Sequence, residues 1–239
     1  MRALALKDMD PSLLGFAIVR EGAGLGVDTG VLQAAMEVAA YLHRDDQRGM
    51  RRNLPVDTYV THPFRLVLRL IRYTCDDGAV LSAAALHDTV EDHPAELVAL
   101  LGGRGGRNGG GKAGPRRALD RVAATFGPDV ARIVGAVTNE PVPAAATEDE
   151  AQRAYRDHVA AVVGDPQVFL VKFADFVDNA GSLRYMPAGE RRDRLVRKYG
   201  PLVPTFRAAL AAHGDRLPLA GGDPGRLDRH LTKIAARIG

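Results

Sequence analysis

Residues 80–94 read VLSAAALHDTVEDHP. From Val80 to Leu86 the only polar side chain is Ser82, the composition of a helix buried in a core. The next seven positions hold two histidines and three carboxylates. A solvated surface would account for charge, but not for charge placed where the core pattern has just been strongest. Spacing of i to i+4 sets His87 over Glu91 and Asp88 over Asp92. Groups crowded in this way repel one another unless a cation or a proton holds them, and a negative C-terminal end opposes the helix dipole. Imidazole nitrogen with carboxylate oxygen suits manganese, iron or zinc. His93 reads as an ordinary surface residue and, with Pro94, as the exit from the segment.

Working outward, the chain is read as helices joined by polar loops. Residues 1–28 show weak periodicity and several glycines, which predicts a loosely structured or docking segment. Leu32, Ala35, Met36, Ala39 and Leu42 share one face of a helix over 31–44. HPFRLVLRLIRY (62–73) is a helix with Pro63 in its first turn, and Pro94 opens another. Helices are also expected over 117–126, 128–138 and from 148, where Thr147 and Glu150 make a capping box. A helix through PQVFLVKFADFVDNAGSL (166–183), a long one from Pro187 to about Ala212 and a closing one over 224–238 complete the set. No alternation of strands with helices is visible, so the expected fold is all-α, one domain over 1–239.

Composition agrees. Hydrophobic residues make up 46% of 239, there is no tryptophan, and Ala, Leu and Val dominate, which favours helices packed on helices. No apolar stretch reaches the length of a membrane span, and the opening MRALALKDMDP is too short an apolar run for a secretory signal. Cys75 is the single cysteine, which excludes an intrachain disulfide and points to a reducing cytoplasm. The formal charge of +3 is local in origin. Residues 102–117, GGRGGRNGGGKAGPRR, hold eight glycines and five basic residues; the rest of the chain has 27 basic against 29 acidic. This run reads as a flexible insertion. Gly106 to Lys112 matches the spacing GxxxxGK, but Ala113 stands where a phosphate-binding loop needs Ser or Thr, and no strand precedes it.

A metal needs more ligands than His87 and Asp88. His62, in TYVTHPF at a helix entry, can project into a cleft. On the helix from 166, Phe169, Phe173, Phe176 and Ala180 form a core stripe, and Lys172, Asp175, Asn179 and Ser182 a polar stripe beside it. Asp175 is thereby flanked by Phe173 and Phe176.

The order H…HD…D resembles the metal signature of the HD phosphohydrolase superfamily. HDTVED, YVTHP, KFADFVDNAGSL and FGPDVARIVGAVTN together resemble the hydrolase domain of RelA/SpoT-type alarmone enzymes, over about 31–205 with 102–117 as an insertion. The resemblance implies an HD-domain helical bundle acting as a stand-alone small alarmone hydrolase. It implies one divalent ion, Mn2+, held by His62, His87, Asp88 and Asp175, with Glu91 and Asp92 positioning and deprotonating the attacking water. The reaction implied is removal of pyrophosphate from the ribose 3′ position of (p)ppGpp. Arg48, Asn179, Ser182 and Lys198 would contact the substrate. Arg48-Gly49 stands where the family has Arg-Lys, a longer loop with Arg51 and Arg52 follows, and LPVD replaces a glycine-rich turn before Thr58-Tyr59. These departures lie where the base would sit and leave guanine against adenine open.

Two other readings are carried. Some relatives are antitoxins that neutralise a toxic small synthetase, by degrading ppApp or ppGpp or by removing pyrophosphate from tRNA 3′ ends; the Arg-bearing loop would engage RNA phosphates. The other is a catalytically inactive HD binding module, against which the intact ligand positions speak.

Overall fold

The computed structural model describes residues 4–48, 57–102, 114–141 and 143–238. Among the described residues the fold is all-α apart from a two-residue antiparallel pair, β1 (Gln47–Arg48) with β2 (Asp57–Thr58), and an isolated bridge between Cys75 and Leu219. The residues 103–113 of the expected insertion, including the GxxxxGK run, and Arg51 and Arg52 lie outside the described residues.

The N-terminal segment is more ordered than its glycines suggest. Asp10 accepts from the Leu13 N–H and Pro11 takes the first helical position, starting α1 (Pro11–Ala23). Leu14, Ala17 and Ile18 then bury one face against α3. Of the two alternatives for this segment, docking is the one that holds, since an N-cap and a three-residue stripe start and seat a helix. The following helices are α2 (Thr29–Leu42), α3 (Thr61–Arg72), α4 (Gly78–Leu86), α5 (Thr89–Asp92) and α6 (Pro94–Leu101). After the insertion come α7 (Pro115–Phe126), α8 (Pro128–Val137) and α9 (Glu148–Val162), the last with its capping box formed by Thr147 and Glu150.

Next is α10 (Pro166–Ser182). The single helix expected from Pro187 to Ala212 is two, α11 (Glu190–Tyr199) and α12 (Leu202–His213), divided at Gly200-Pro201. The chain closes with α13 (Gly225–Ile238).

Two helices organise the packing. α4 is buried from Val80 to Leu86 and lies among α2, α3, α8 and α10. α10 sends Phe169, Phe173 and Phe176 into a ring cluster with Phe206 of α12, centroids 4.9–5.8 Å apart. Each of these rings is at most 1% exposed, so α10 is held in register by its aromatic face. Its adjoining polar face is thereby fixed against α3 and α4. Among the described residues, no helix is long and apolar enough to cross a membrane.

Candidate active site

His62 enters from the first turn of α3, His87 from the break between α4 and α5, and Asp175 from the middle of α10. Each offers a ligand atom within 4.8 Å of the others. His62 Nε2 lies 3.1 Å from Asp175 Oδ1 and 4.0 Å from Asp88 Oδ2, and His87 Nε2 lies 2.8 Å from Asp88 Oδ2. Three of the four residues expected as ligands, His62, His87 and Asp175, therefore converge on one point, with Asp88 beside the two histidines, although they come from three separate parts of the chain.

The ring orientations make this cluster a candidate cation site. His62 Nδ1 is 2.9 Å from Asp178 Oδ2, and His87 Nδ1 is 3.1 Å from the Ala84 carbonyl. Both Nδ1 atoms face acceptors and donate to them, so each Nε2 is turned toward the carboxylates and, in the neutral ring, presents its lone pair to them. Lone pair against carboxylate is repulsive unless a positive charge lies between. His87 Nε2 is buried with no hydrogen-bond partner, the orphaned acceptor that a bound divalent ion would satisfy. The donor set thus fits a divalent cation.

The titration directions follow from the same charges. Burial pulls His62 below its ordinary value, aided by Arg48, despite Asp175 and Asp178. Burial also opposes the charge on His87, but Asp88 outweighs it and raises the group. Burial disfavours the Asp88 and Asp175 carboxylates, yet His87 holds the first and His62 the second below the ordinary carboxylate range. A divalent ion competes with protons for such sites.

Glu91 and Asp92 follow within a turn. Glu91 Oε2 accepts from both the backbone N–H and the Nδ2 of Asn139, at 3.0 Å each. Asp92 is pushed up to about 6 by withdrawal from water and by the negative charges of Asp88 and Glu91. Lys198 and Glu91 share a cleft of about 680 Å³ with Tyr155, Asn139 and Arg194. The Lys198 ammonium stands 4.2 Å over the Tyr155 ring, and burial lowers its pKa although Asp175, Glu91 and Asp88 pull it up. Arg48 donates to Asn179 Oδ1, and Asn179 donates to Asp175 Oδ1, so these two substrate candidates adjoin the ligands.

Ser182 does not join them. It is 1% exposed, receives Lys7 Nζ at 2.6 Å and donates to the Asp178 carbonyl. On an ideal helix Ser182 falls about 40° from Asp178 and about 60° from Asn179, so it turns with Asp178. The structure corrects its expected substrate contact to a buried structural one. His93 also departs from the expectation of an ordinary surface residue. Its Nε2 and His43 Nδ1 each lie 2.7 Å from Asp46 Oδ2, and the His43 ring packs 4.6 Å from Tyr59. Tyr59 donates its hydroxyl to Asp88, so this cluster braces that candidate ligand from behind.

Asp178 is the main residue that sequence reasoning missed. It is fully buried and accepts from Lys7, His62, Arg65 and Arg69. Burial would raise its pKa, but Arg65 and Lys7 hold it well below the ordinary range. The available signal was charge on a packed face: Arg65 and Arg69 sit i to i+4 among the leucines of α3.

The HD domain family model matches residues 35–199. The mouse guanosine-3′,5′-bis(diphosphate) 3′-pyrophosphohydrolase MESH1 is 30% identical over 178 residues, covering 73% of this chain and 82% of the mouse protein. The bifunctional (p)ppGpp synthase/hydrolase RelA of Mycobacterium tuberculosis is 31% identical over 171 residues, 72% of this chain and 19% of that protein. The probable GTP pyrophosphokinase of Mycobacterium leprae is 31% identical over 170 residues, 70% of this chain and 18% of its own. The chain thus spans about a fifth of the length of these two bacterial relatives. It belongs to the HD-domain family. Within that family the mouse protein is a relative that it matches over most of both lengths.

Proposed function

We propose that this chain, as one hydrolase domain over 1–239, removes pyrophosphate from the ribose 3′ position of (p)ppGpp or a related alarmone. The observation that carries the reading is the convergence of His62, His87 and Asp175 on one point, with Asp88 beside them and the His87 Nε2 atom left without a partner. Their nitrogen and oxygen donors suit Mn2+, which when bound lowers the pKa of a water and offsets phosphate charge.

The chain's own groups have defined parts in this reading. Glu91, fixed by Asn139, and Asp92 orient the water and take its proton. The water oxygen bonds to the phosphorus attached to O3′, the P–O3′ bond breaks, pyrophosphate leaves, and O3′ gains a proton. Arg48, Asn179 and Lys198 contact the nucleotide and its phosphates. A cytoplasmic setting, expected from the lone buried Cys75, belongs to the same proposal.

The test is direct. Purified protein with Mn2+ is incubated with ppGpp, ppApp and 3′-pyrophosphorylated tRNA, and released pyrophosphate is quantified for each. Turnover of a mononucleotide alarmone supports the reading. Turnover of tRNA alone supports the antitoxin-type reading, and its link to a toxic synthetase, in its place. Turnover of none overturns both and leaves a binding module.

A further inference from the structure

A second cavity, of about 420 Å³, lies between α3 and α13, away from the cleft that Glu91 and Lys198 share. Arg69 and Arg72 of α3 form one wall; Arg226, Arg229, His230 and Lys233 of α13 form the other. Along α13 the cations fall at i, i+3 and i+7, so they occupy one face and confront those of α3. No carboxylate lines the space.

Part of this charge is neutralised from outside the cavity. Arg72 pairs with Glu21, Arg69 with Asp178 and Arg229 with Asp223. Arg226 donates to the Arg72 carbonyl and lies over the Tyr73 ring, and neither it nor Lys233 forms an ion pair among the described residues, although the charge of Asp223 is felt at Arg226. Deeper in, Arg69 Nε is buried without a hydrogen-bond partner beside the buried Tyr73. Burial, then Arg69, Lys233, Arg237 and Arg226, push His230 down to about 3, so its ring is neutral and adds no charge of its own. Like charges facing one another across a cavity raise the energy of the fold unless an anion sits among them. Guanidinium groups match phosphate oxygens in geometry as well as charge.

We propose that this cavity is a binding site for a compact phosphoanion, either inorganic phosphate or pyrophosphate or the phosphate end of a nucleotide. It is separate from the metal centre, and Arg69 touches both, because its Nη2 donates to the carboxylate that holds His62. The partly buried guanidinium of Arg69 supplies the floor, and the exposed Arg226, Arg229 and Lys233 supply the rim.

The test is calorimetry on the full chain with divalent metal chelated, titrating sodium pyrophosphate and ADP in parallel. Arg226→Gln/Lys233→Gln changes two exposed side chains and leaves the core intact. His87→Ala/Asp88→Ala removes the metal centre. Binding should weaken about tenfold or more in the first variant, persist in the second, and fall as salt is raised. Equal affinity for the two ligands assigns the site to the free anion, and tighter ADP binding assigns it to a nucleotide. A proton spectrum gives a second readout: pyrophosphate should move the His230 ring resonance in wild type and not in the Arg226→Gln/Lys233→Gln variant. No binding to wild type, or binding lost with His87 and Asp88 while kept without Arg226 and Lys233, overturns the proposal.

Discussion

Replacing Asp178 by asparagine tests the network behind His62. The carboxylate is fully buried and its donors are Lys7 Nζ at 3.0 Å, His62 Nδ1 at 2.9 Å, Arg65 Nη2 at 3.0 Å and Arg69 Nη2 at 3.1 Å. One negative charge thus faces three formal cations. Removing it leaves them uncompensated, and an asparagine amide would turn new donors toward donors. Breaking a buried pair from one side costs about 3–5 kcal/mol, a third or more of the stability of many domains. Lys7→Met is the contrast. It leaves Asp178 held by Arg65 and Arg69 and removes an ammonium whose own burial pulls it down to about 7 against the attraction of Asp178. That change should stay within about 1 kcal/mol. Urea unfolding followed by far-ultraviolet circular dichroism, with metal chelated, measures both. In the same proteins Mn2+ affinity should fall about 10- to 100-fold for Asp178→Asn, because the acceptor that orients a ligating histidine is altered. Asp178→Asn unfolding within about 1 kcal/mol of wild type would refute the reasoning.

The remaining predictions concern the site and the core. His87→Ala/Asp88→Ala should purify without bound manganese, which elemental analysis reads. Glu91→Ala should keep the metal and lose about 10²- to 10⁴-fold in turnover, the worth of a positioned base; full turnover would remove Glu91 from its role. Cys75 is buried and its thiol is pushed up to about 12, so a thiol reagent at neutral pH should label it only after unfolding. An unfolded thiol ionises near 8.5, so the unfolded state loses its proton first. Stability should therefore decline as pH rises through the window from there to about 12, and Cys75→Ala should flatten that slope.

How far the sequence reached can be argued residue by residue. Helix starts were legible where a capping box or a first-turn proline marks them, as at Thr147 and Pro94 respectively, because both act locally. The aromatic stripe of α10 was legible because helical period alone puts Phe169, Phe173 and Phe176 on one face. The division at Gly200-Pro201 was missed because apolar periodicity runs through it, and α1 because glycine content masked a short stripe.

The metal centre divides along the same line. His87 and Asp88 could be singled out in the sequence, since charge interrupts a buried run within a few residues. Which lone pairs face inward could not. That depends on Asp178 and the Ala84 carbonyl taking the Nδ1 protons, and Asp178 reaches His62 from 116 positions away. Ser182 shows the limit most plainly. The polar stripe grouped it with Asn179, but it lies closer around the helix to Asp178, whose buried ion pairs with Lys7 and α3 only the packing reveals. By itself the sequence determined the helical class, the core stripes and the chemical identity of the candidate ligands, because composition and period act locally. Tertiary structure alone decided tautomer, charge balance and the facing cations of α3 and α13, because those depend on which distant groups share one volume.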